Sequence, residues 1–338
     1  MISMPFVFPF PVYGSGIMIK SPTVKVFSLR SGQQPGKRGR SRGLIFIKFF
    51  PDWRVTTIFE ELKNHMAAGE KFLALEKFQN LILMALSLQT DFFAFAAMFG
   101  GTALRIFHGL PRFSEDLDFT VDQEVSGFSL EPYRGGLSRF FEEIGLGKVT
   151  INLKDREREV ASGSIVLTVG RSESLRVKID AEKNRLAIAP ETETLYGEFP
   201  FQYPARVCKL SSGFAGKMDA LLHRQWGGKR VKGRDWYDLL WYLRKGAEIN
   251  LPWLEERLRA KGTLSPEETL SPELLGELYA KRAESLNLKE ILRDVTVFMT
   301  DDLEKRASAL WSAEMFLNQR EKIVDAARKF KPQKDSGD

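Results

Sequence analysis

The chain has 338 residues, of which 43% are hydrophobic and 28% charged, a composition typical of a folded protein with a sizeable core. Its single cysteine, Cys208, excludes an internal disulfide framework and fits a reducing compartment, so we expect a cytoplasmic location. Three scattered histidines argue against a zinc enzyme. Because no run reaches the roughly 18 apolar residues that a membrane span needs, we predict no membrane partner.

The formal net charge of +6 comes from the beginning of the chain. Residues 1–54 contain nine Lys or Arg and one acid, Asp52, whereas the remainder contains 41 basic and 43 acidic residues. The overall charge therefore does not indicate a nucleic-acid patch on the body of the protein. We predict that residues 1–54 form a basic, flexible extension that the fold does not need; an RNA-binding arm is the alternative.

A double glycine is the first feature with chemical content. Residues 59–88 show apolar spacings of three and four, which predict helix, and residues 91–99 are predicted as the first strand. Gly100-Gly101 follows and opens a short helical pattern over 102–108. Glycines let backbone N–H groups and the helix N-terminus behind them approach an anion closely. The alternative is an ordinary tight turn.

The next strand alternates acidic and apolar residues, Asp116-Leu117-Asp118-Phe119. Because successive strand side chains point to opposite faces, Asp116 and Asp118 would share a face, about 6–7 Å apart, with the two apolar residues in the core. Carboxylates held in this way can bind Mg²⁺, with Mn²⁺ as an alternative ion, and Mg²⁺ commonly bridges protein carboxylates to phosphates. The alternative is a solvated strand edge.

Further strands follow the acidic one. A helix is predicted over 130–144, and two alternating stretches, 149–153 and 164–169, read as a hairpin. The strand over 175–180 alternates again and ends in Asp180, which would lie on the polar face.

From Ala205 onward the pattern is predicted to be helical, with Pro200 and Pro204 at the junction. The loop 227–233 carries Lys229, Arg230 and Lys232; it is either a contact for the RNA backbone or a solvated loop. Later helices are predicted over 253–260, 272–285, 288–297 and 301–330.

The order strand, double glycine, short helix and D-x-D strand is the signature of the nucleotidyltransferase superfamily related to DNA polymerase β. The sequence of these segments resembles one family within that superfamily more closely. GGTALR (100–105) followed by GLPRFSEDLDF (109–119) strongly resembles the AbiEii-type nucleotidyltransferases, the toxins of type IV toxin–antitoxin and phage-defence pairs. A second block of that family, K-x-x-A-L-x-x-R followed by R-D-x-x-D-L, resembles residues 217–224 and 234–239.

The resemblance implies an α+β fold: a polymerase β-like nucleotidyltransferase core with a mixed sheet, followed by a helical C-terminal domain. We expect N-terminal helices and the core over 55–195, the helical domain over 196–331 and a polar tail over 332–338.

The resemblance also implies a metal site. In the superfamily a third carboxylate comes from a strand adjacent to the D-x-D strand, and Asp180 is the candidate by position; an ordinary strand-end acid is the alternative. The predicted metal ligands and catalytic acids are therefore Asp116, Asp118 and Asp180.

Nucleotide binding is implied for residues around these acids. By resemblance Lys217 contacts phosphate, and Asp235 or Asp238 positions the substrate or activates an acceptor hydroxyl. Arg112 would neutralise the triphosphate or, alternatively, pair with Glu115 or an aspartate. The predicted nucleotide-binding residues are Gly100, Gly101, Thr102, Arg112, Ser114 and Lys217.

The implied activity is Mg²⁺-dependent transfer of a nucleoside monophosphate from an NTP to an acceptor, by resemblance a tRNA 3′ end. A cognate antitoxin is the implied protein partner. The alternatives are transfer of NMP or a phosphoryl group to a protein target, and a non-catalytic module that binds NTP or RNA.

Overall fold

The structure is a computed structural model that describes residues 52–89, 91–122, 127–146, 148–154, 160–169, 173–183, 186–223 and 232–332. Residues 52–338 form one compact unit. Residues 1–51 of the predicted basic extension lie outside the described residues, and residues 52–54 begin the first helix. Most of the basic loop 227–233 and most of the tail 332–338 lie outside them as well.

The described part of the chain contains helices and strands in a mixed order. The first part comprises α1 (Asp52–Ala67), α2 (Lys71–Ser87), α3 (Phe92–Phe95), β1 (Ala96–Phe99), α4 (Gly100–His108), β2 (Leu117–Val121), α5 (Arg134–Glu143), β3 (Val149–Lys154), β4 (Val160–Val169), β5 (Glu173–Lys183), β6 (Thr192–Gly197) and β7 (Tyr203–Cys208). The second part comprises α6 (Leu210–His223), α7 (Gly233–Arg244), α8 (Leu251–Ala260), α9 (Pro272–Glu284), α10 (Leu288–Val295), α11 (Asp302–Ser308), α12 (Ala313–Leu317) and α13 (Arg320–Lys329).

The strands form one seven-stranded sheet in the order β3-β4-β5-β2-β1-β7-β6. The pairs β2–β5 and β1–β7 are parallel, and the other neighbours are antiparallel. This confirms the predicted fold class, a mixed sheet followed by helices. The division into two domains near residue 195 stays a prediction.

The sheet has one apolar and one polar face at its centre. Leu117 and Phe119 of β2 and Ile179 and Ala181 of β5 are buried, and α2 packs against β5. The intervening residues of both strands are polar and partly exposed. The alternation therefore predicts correctly which side chains enter the core. The other face of the sheet presents the polar side chains, which include the acids of the candidate site.

The predicted start of the helical part at Ala205 is wrong. Residues 192–197 and 203–208 are the strands β6 and β7, and α6 begins at Leu210. Tyr203, Ala205 and Val207 are buried at a spacing of two, but a strand of six residues that includes Pro204 gives a weak periodic signal.

Three other predictions differ in detail. The helix over 59–88 is divided into α1 and α2, the segment 91–99 begins with the short helix α3, and 301–330 contains α11, α12 and α13 instead of one helix. Local apolar periodicity continues across such breaks, so it does not locate them.

The helical part has its own core, rich in aromatic residues such as Trp236, Tyr242 and Trp253. Leu104 of α4 and the adjacent Leu110 belong to this core. The helix that follows the double glycine is therefore anchored in the helical part. Among the described residues, no helix combines the length and the apolar character that crossing a membrane requires.

Candidate active site

A cleft of about 340 Å³ lies where α4, β2 and β5 face α6 and α7. Its lining includes every predicted site residue except Thr102 and Asp238, the alternative to Asp235. The structure therefore brings together side chains that are far apart in sequence, from Gly100 to Asp235.

The acids of the cleft lie side by side on the polar face of the sheet. Asp118 of β2 is directly opposite Asp180 of β5 in the parallel register, and Asp116 immediately precedes β2. Burial raises the pKa of Asp116. Burial, together with the negative charges of Asp116 and Asp180, raises the pKa of Asp118 to about 6. This crowding of carboxylates favours a bound cation.

The oxygen donors fit a hard divalent cation. One carboxylate oxygen of Asp180, Oδ1, is buried and has no hydrogen-bond partner among the described residues, while the other oxygen accepts a hydrogen bond from the Lys178 ammonium. In the part of the chain that the structure describes, no three His, Cys, Asp or Glu side chains are already arranged as a metal site. Lys178 therefore compensates charge at this position, and the unpartnered Oδ1 is the oxygen of Asp180 that could bind a metal ion.

The double glycine permits a close approach of α4 to these acids. Gly100 has φ +79°, and a Cβ atom built on it would lie 2.8 Å from Oδ2 of Asp118. A Cβ on Gly101 would lie 2.8 Å from both the Arg112 guanidinium and the Ser114 hydroxyl oxygen. Because Gly100 and Gly101 line the cleft and lack side chains, an anion can approach the N-terminus of α4 closely.

A Gly100→Ala substitution tests this packing. We expect it to lower the free energy of unfolding by about 1–2 kcal/mol, because an L-residue is strained at positive φ. We also expect the nucleotidyl transfer that the sequence resemblance implies to slow by about tenfold to a hundredfold, because the methyl group displaces the Asp118 carboxylate. The measurements are urea unfolding and NMP incorporation.

Gly109→Ala is the matched control, because Gly109 ends the same helix with φ +71° and has open space around its Cβ position. It should show a loss of stability from its positive φ alone, with normal transfer. Equal transfer rates for the two variants would contradict a tight contact between Gly100 and Asp118.

Thr102 lies outside the cleft and has a supporting role. Its side chain is fully buried, and its hydroxyl donates a hydrogen bond to the backbone carbonyl of Asp116. The geometry therefore does not favour the predicted contact of Thr102 with phosphate. It favours a structural role, in which Thr102 fixes the backbone of Asp116 at the start of the acidic strand.

A buried ion network joins the loop before β2 to α6 and α7. The Arg112 guanidinium donates to both carboxylate oxygens of Asp238 at 2.6 and 2.7 Å. The Lys217 ammonium lies 2.8 Å from Asp238 and 2.9 Å from Asp235. Burial lowers the pKa of Lys217, but the two carboxylates outweigh this effect and the net pKa is raised. Lys217 therefore stays charged at the cleft.

Of the alternatives for Arg112, the structure shows the ion pair with an aspartate. The partner is Asp238, whereas Glu115 pairs with Arg234 at 3.2 Å. Because the Arg112 side chain is only 2% exposed, its main role in this structure is to connect the acidic loop to α7.

Sequence reasoning missed an ionic cluster at the other end of the cleft. Asp219 is buried and pairs with Arg257 at 2.8 Å and with Lys261 at 2.5 Å. Arg257 also pairs with Glu182 at 3.3 Å. Glu182 follows Asp180 by two residues on the same face of β5, and this alternation is the one sequence signal that could have revealed it.

One family model matches most of the chain. The model described as "Nucleotidyl transferase AbiEii toxin, Type IV TA system" matches residues 81–319. No curated protein matches the chain.

Several solved structures are similar to the chain. JHP933 from Helicobacter pylori has 18% identity and a TM-score of 0.44, covering 77% of this chain and 93% of that one. A putative nucleotidyltransferase from H. pylori has 17% identity and a TM-score of 0.43, with coverages of 77% and 96%. The nucleotidyltransferase toxin MenT4 from Mycobacterium tuberculosis H37Rv has 15% identity and a TM-score of 0.43, with coverages of 79% and 97%.

The matched residues contain both motif blocks that carry the resemblance, 100–119 and 217–239. The family predicted from those motifs is thereby confirmed. Because the model matches more than half of the chain, the chain belongs to the AbiEii nucleotidyltransferase toxin family of type IV toxin–antitoxin systems and is a nucleotidyltransferase.

Proposed function

We propose that the chain transfers NMP from an NTP to the 3′ end of an RNA, with tRNA as the acceptor, and acts as the toxin of a type IV pair in phage defence. One observation supports the nucleotidyl transfer most directly. Asp118 and Asp180 lie in register on adjacent strands, and helix α4, which begins with Gly100 and Gly101, approaches Asp118 closely. The tRNA acceptor, phage defence and a cytoplasmic location come from the family alone.

Mg²⁺, or Mn²⁺ in its place, would be held by Asp116, Asp118 and Asp180. When bound, the ion neutralises charge on the triphosphate and on the phosphoryl group being transferred. The raised pKa of Asp118 supports this assignment, because a carboxylate crowded by like charges gains most from a cation.

The phosphates of the NTP would bind at the N-terminus of α4. Gly100 and Gly101 line the cleft there, and Ser114 belongs to the same lining. Lys217 adds a positive charge that its two carboxylate partners keep in place. Preorganised charge of this kind is a main source of catalysis in phosphoryl transfer.

Of the two acids of α7, Asp235 is the better candidate for contact with substrate. Asp235 lines the cleft, whereas Asp238 is fully buried between Arg112 and Lys217. We therefore assign Asp238 to positioning the two cations and Asp235 to orienting the substrate or the acceptor hydroxyl. That hydroxyl attacks the α-phosphorus, and the bond to pyrophosphate breaks.

The test is incubation of the purified protein with each α-labelled NTP and a mixture of total RNA and protein. We expect the label in RNA, at 3′ ends, with one nucleotide preferred. Sequencing the 3′ ends then identifies the acceptor and the added nucleotide. Label in protein would instead support transfer to a side chain and would reject the RNA acceptor.

A further inference from the structure

The acids of the active site belong to a polar row that crosses the sheet. Residues directly opposite one another on paired strands lie on the same face. In this register Lys154 of β3 faces Ser162 of β4, Ser162 faces Asp180 of β5, and Asp180 faces Asp118 of β2. With strands about 4.8 Å apart, the row extends about 14 Å from the edge strand to Asp118.

The neighbouring row has the same character. Asn152 of β3 is opposite Ser164 of β4, which is opposite Lys178 of β5. Arg176 lies two residues before Lys178 on the same face and donates a hydrogen bond to the Ser164 hydroxyl. This face of β3–β5 therefore presents hydroxyl, amide and cationic groups.

A groove of about 900 Å³ lies over this face and is separate from the nucleotide cleft. Lys71 and Phe72 of α2 line it together with the polar residues of the two rows. The groove and the cleft share two lining residues, Asp116 and Lys178. The two depressions therefore meet at the catalytic acids.

The charge of the groove favours a polyanion. Four exposed cations line it: Lys71, Lys154, Arg176 and Lys178. Of the acids that line it, Asp116 also lines the cleft, and Glu115 precedes Asp116 in the chain. A strand of nucleic acid meets cations along the groove and carboxylates only where its end arrives, which is the arrangement that in-line transfer to a terminal hydroxyl requires.

We infer that this groove, the acceptor groove, binds the single-stranded 3′ segment of the RNA acceptor and delivers its terminal hydroxyl to Asp116. This inference rests on the proposed function and adds where the acceptor lies. The cations bind phosphates, the serine and asparagine side chains can contact 2′-hydroxyls, and the partly exposed Phe72 offers a ring for a base. The NTP occupies the opposite side of the same acids.

The double substitution Lys154→Glu with Arg176→Glu tests the groove, because both residues are exposed and neither contacts the metal ligands in the described structure. Lys281→Glu with Lys329→Glu is the matched control: both lysines are exposed, and they lie on α9 and α13 outside the two depressions. Both variants change the net charge equally. Thermal unfolding establishes that each is folded.

Binding is measured with a short fluorescent single-stranded RNA, without NTP or metal. We expect the groove variant to bind at least about tenfold more weakly than the control variant. The slope of log Kd against log salt concentration should decrease by about 1.4, the value for two lost phosphate contacts on a single strand. Equal affinity of the two variants would overturn the inference.

Transfer kinetics and cross-linking separate this inference from the proposed function. The groove variant should show a raised KM for RNA and an unchanged KM for NTP, and 4-thiouridine near the RNA 3′ end should cross-link to β3–β5. Cross-links confined to other parts of the chain would overturn the acceptor groove while leaving RNA transfer intact. RNA binding in the groove without any transfer would reject the proposed function alone.

Discussion

Asp118→Asn is expected to abolish nucleotidyl transfer and at the same time to stabilise the fold. The substitution removes one of the predicted metal ligands, so transfer should decrease by at least about a hundredfold to a thousandfold. It also removes a charge that is disfavoured by burial and by the neighbouring charges of Asp116 and Asp180, which together raise the pKa of Asp118 to about 6. The gain in the free energy of unfolding at neutral pH is at most about 3 kcal/mol.

The stabilisation should depend on pH in a defined direction. Because the pKa of Asp118 is raised from 3.8 to about 6 on folding, the folded protein binds more protons than the unfolded chain between these pH values. The stability of the wild type relative to Asp118→Asn therefore falls as the pH rises from about 4 to about 6, and the difference is constant above that range. Urea unfolding of both proteins at several pH values across this range measures the difference in their free energies of unfolding.

Asp325→Asn is the control, because the Asp325 side chain is 59% exposed and lies 3.7 Å from Arg328 on the surface. It should change neither transfer nor, by more than about 0.5 kcal/mol, stability. Full activity of Asp118→Asn would remove the metal-site proposal, and a stability difference that does not change with pH would show that burial and the neighbouring charges do not raise the pKa of Asp118.

Asp238→Ala is expected to be the most destabilising single change in the active site. Asp238 is fully buried and is the partner of both Arg112 and Lys217. Its removal leaves the buried Arg112 guanidinium without its carboxylate, which typically costs about 3–5 kcal/mol. Transfer should also decrease, because Lys217 keeps only Asp235 to hold it. Urea unfolding and NMP incorporation measure the two effects.

A double substitution tests how much of the loss comes from the unpaired charge. Arg112→Met combined with Asp238→Leu replaces both charges by apolar groups and should recover most of the lost stability, because a well-packed apolar pair often substitutes for a buried ion pair. Activity should stay low, since Lys217 still lacks one carboxylate. If the double variant were as unstable as Asp238→Ala, the loss would come from packing and not from the unpaired charge.

Much of the fold and of the site could be predicted from local patterns. The alternation at Asp116-Leu117-Asp118-Phe119 predicts which side chains enter the core, and their burial confirms it. The sequence pattern did not predict strands β6 and β7, because they are short and prolines lie in or near them. The pairing of Arg112 with Asp238 spans 126 residues, and no local pattern indicates which of several acids a given arginine meets.

The sequence by itself determined the family and the mixed α/β character, and it predicted the acids and glycines of the candidate site, since all of these depend on short-range spacing and on motifs. Only the tertiary structure decided that Thr102 holds a backbone carbonyl, that Arg112 is buried in an ion pair and that Asp219, Glu182 and Arg257 border the cleft. Burial and charge compensation are set by neighbours from distant parts of the chain, so they become visible only when the elements are packed together.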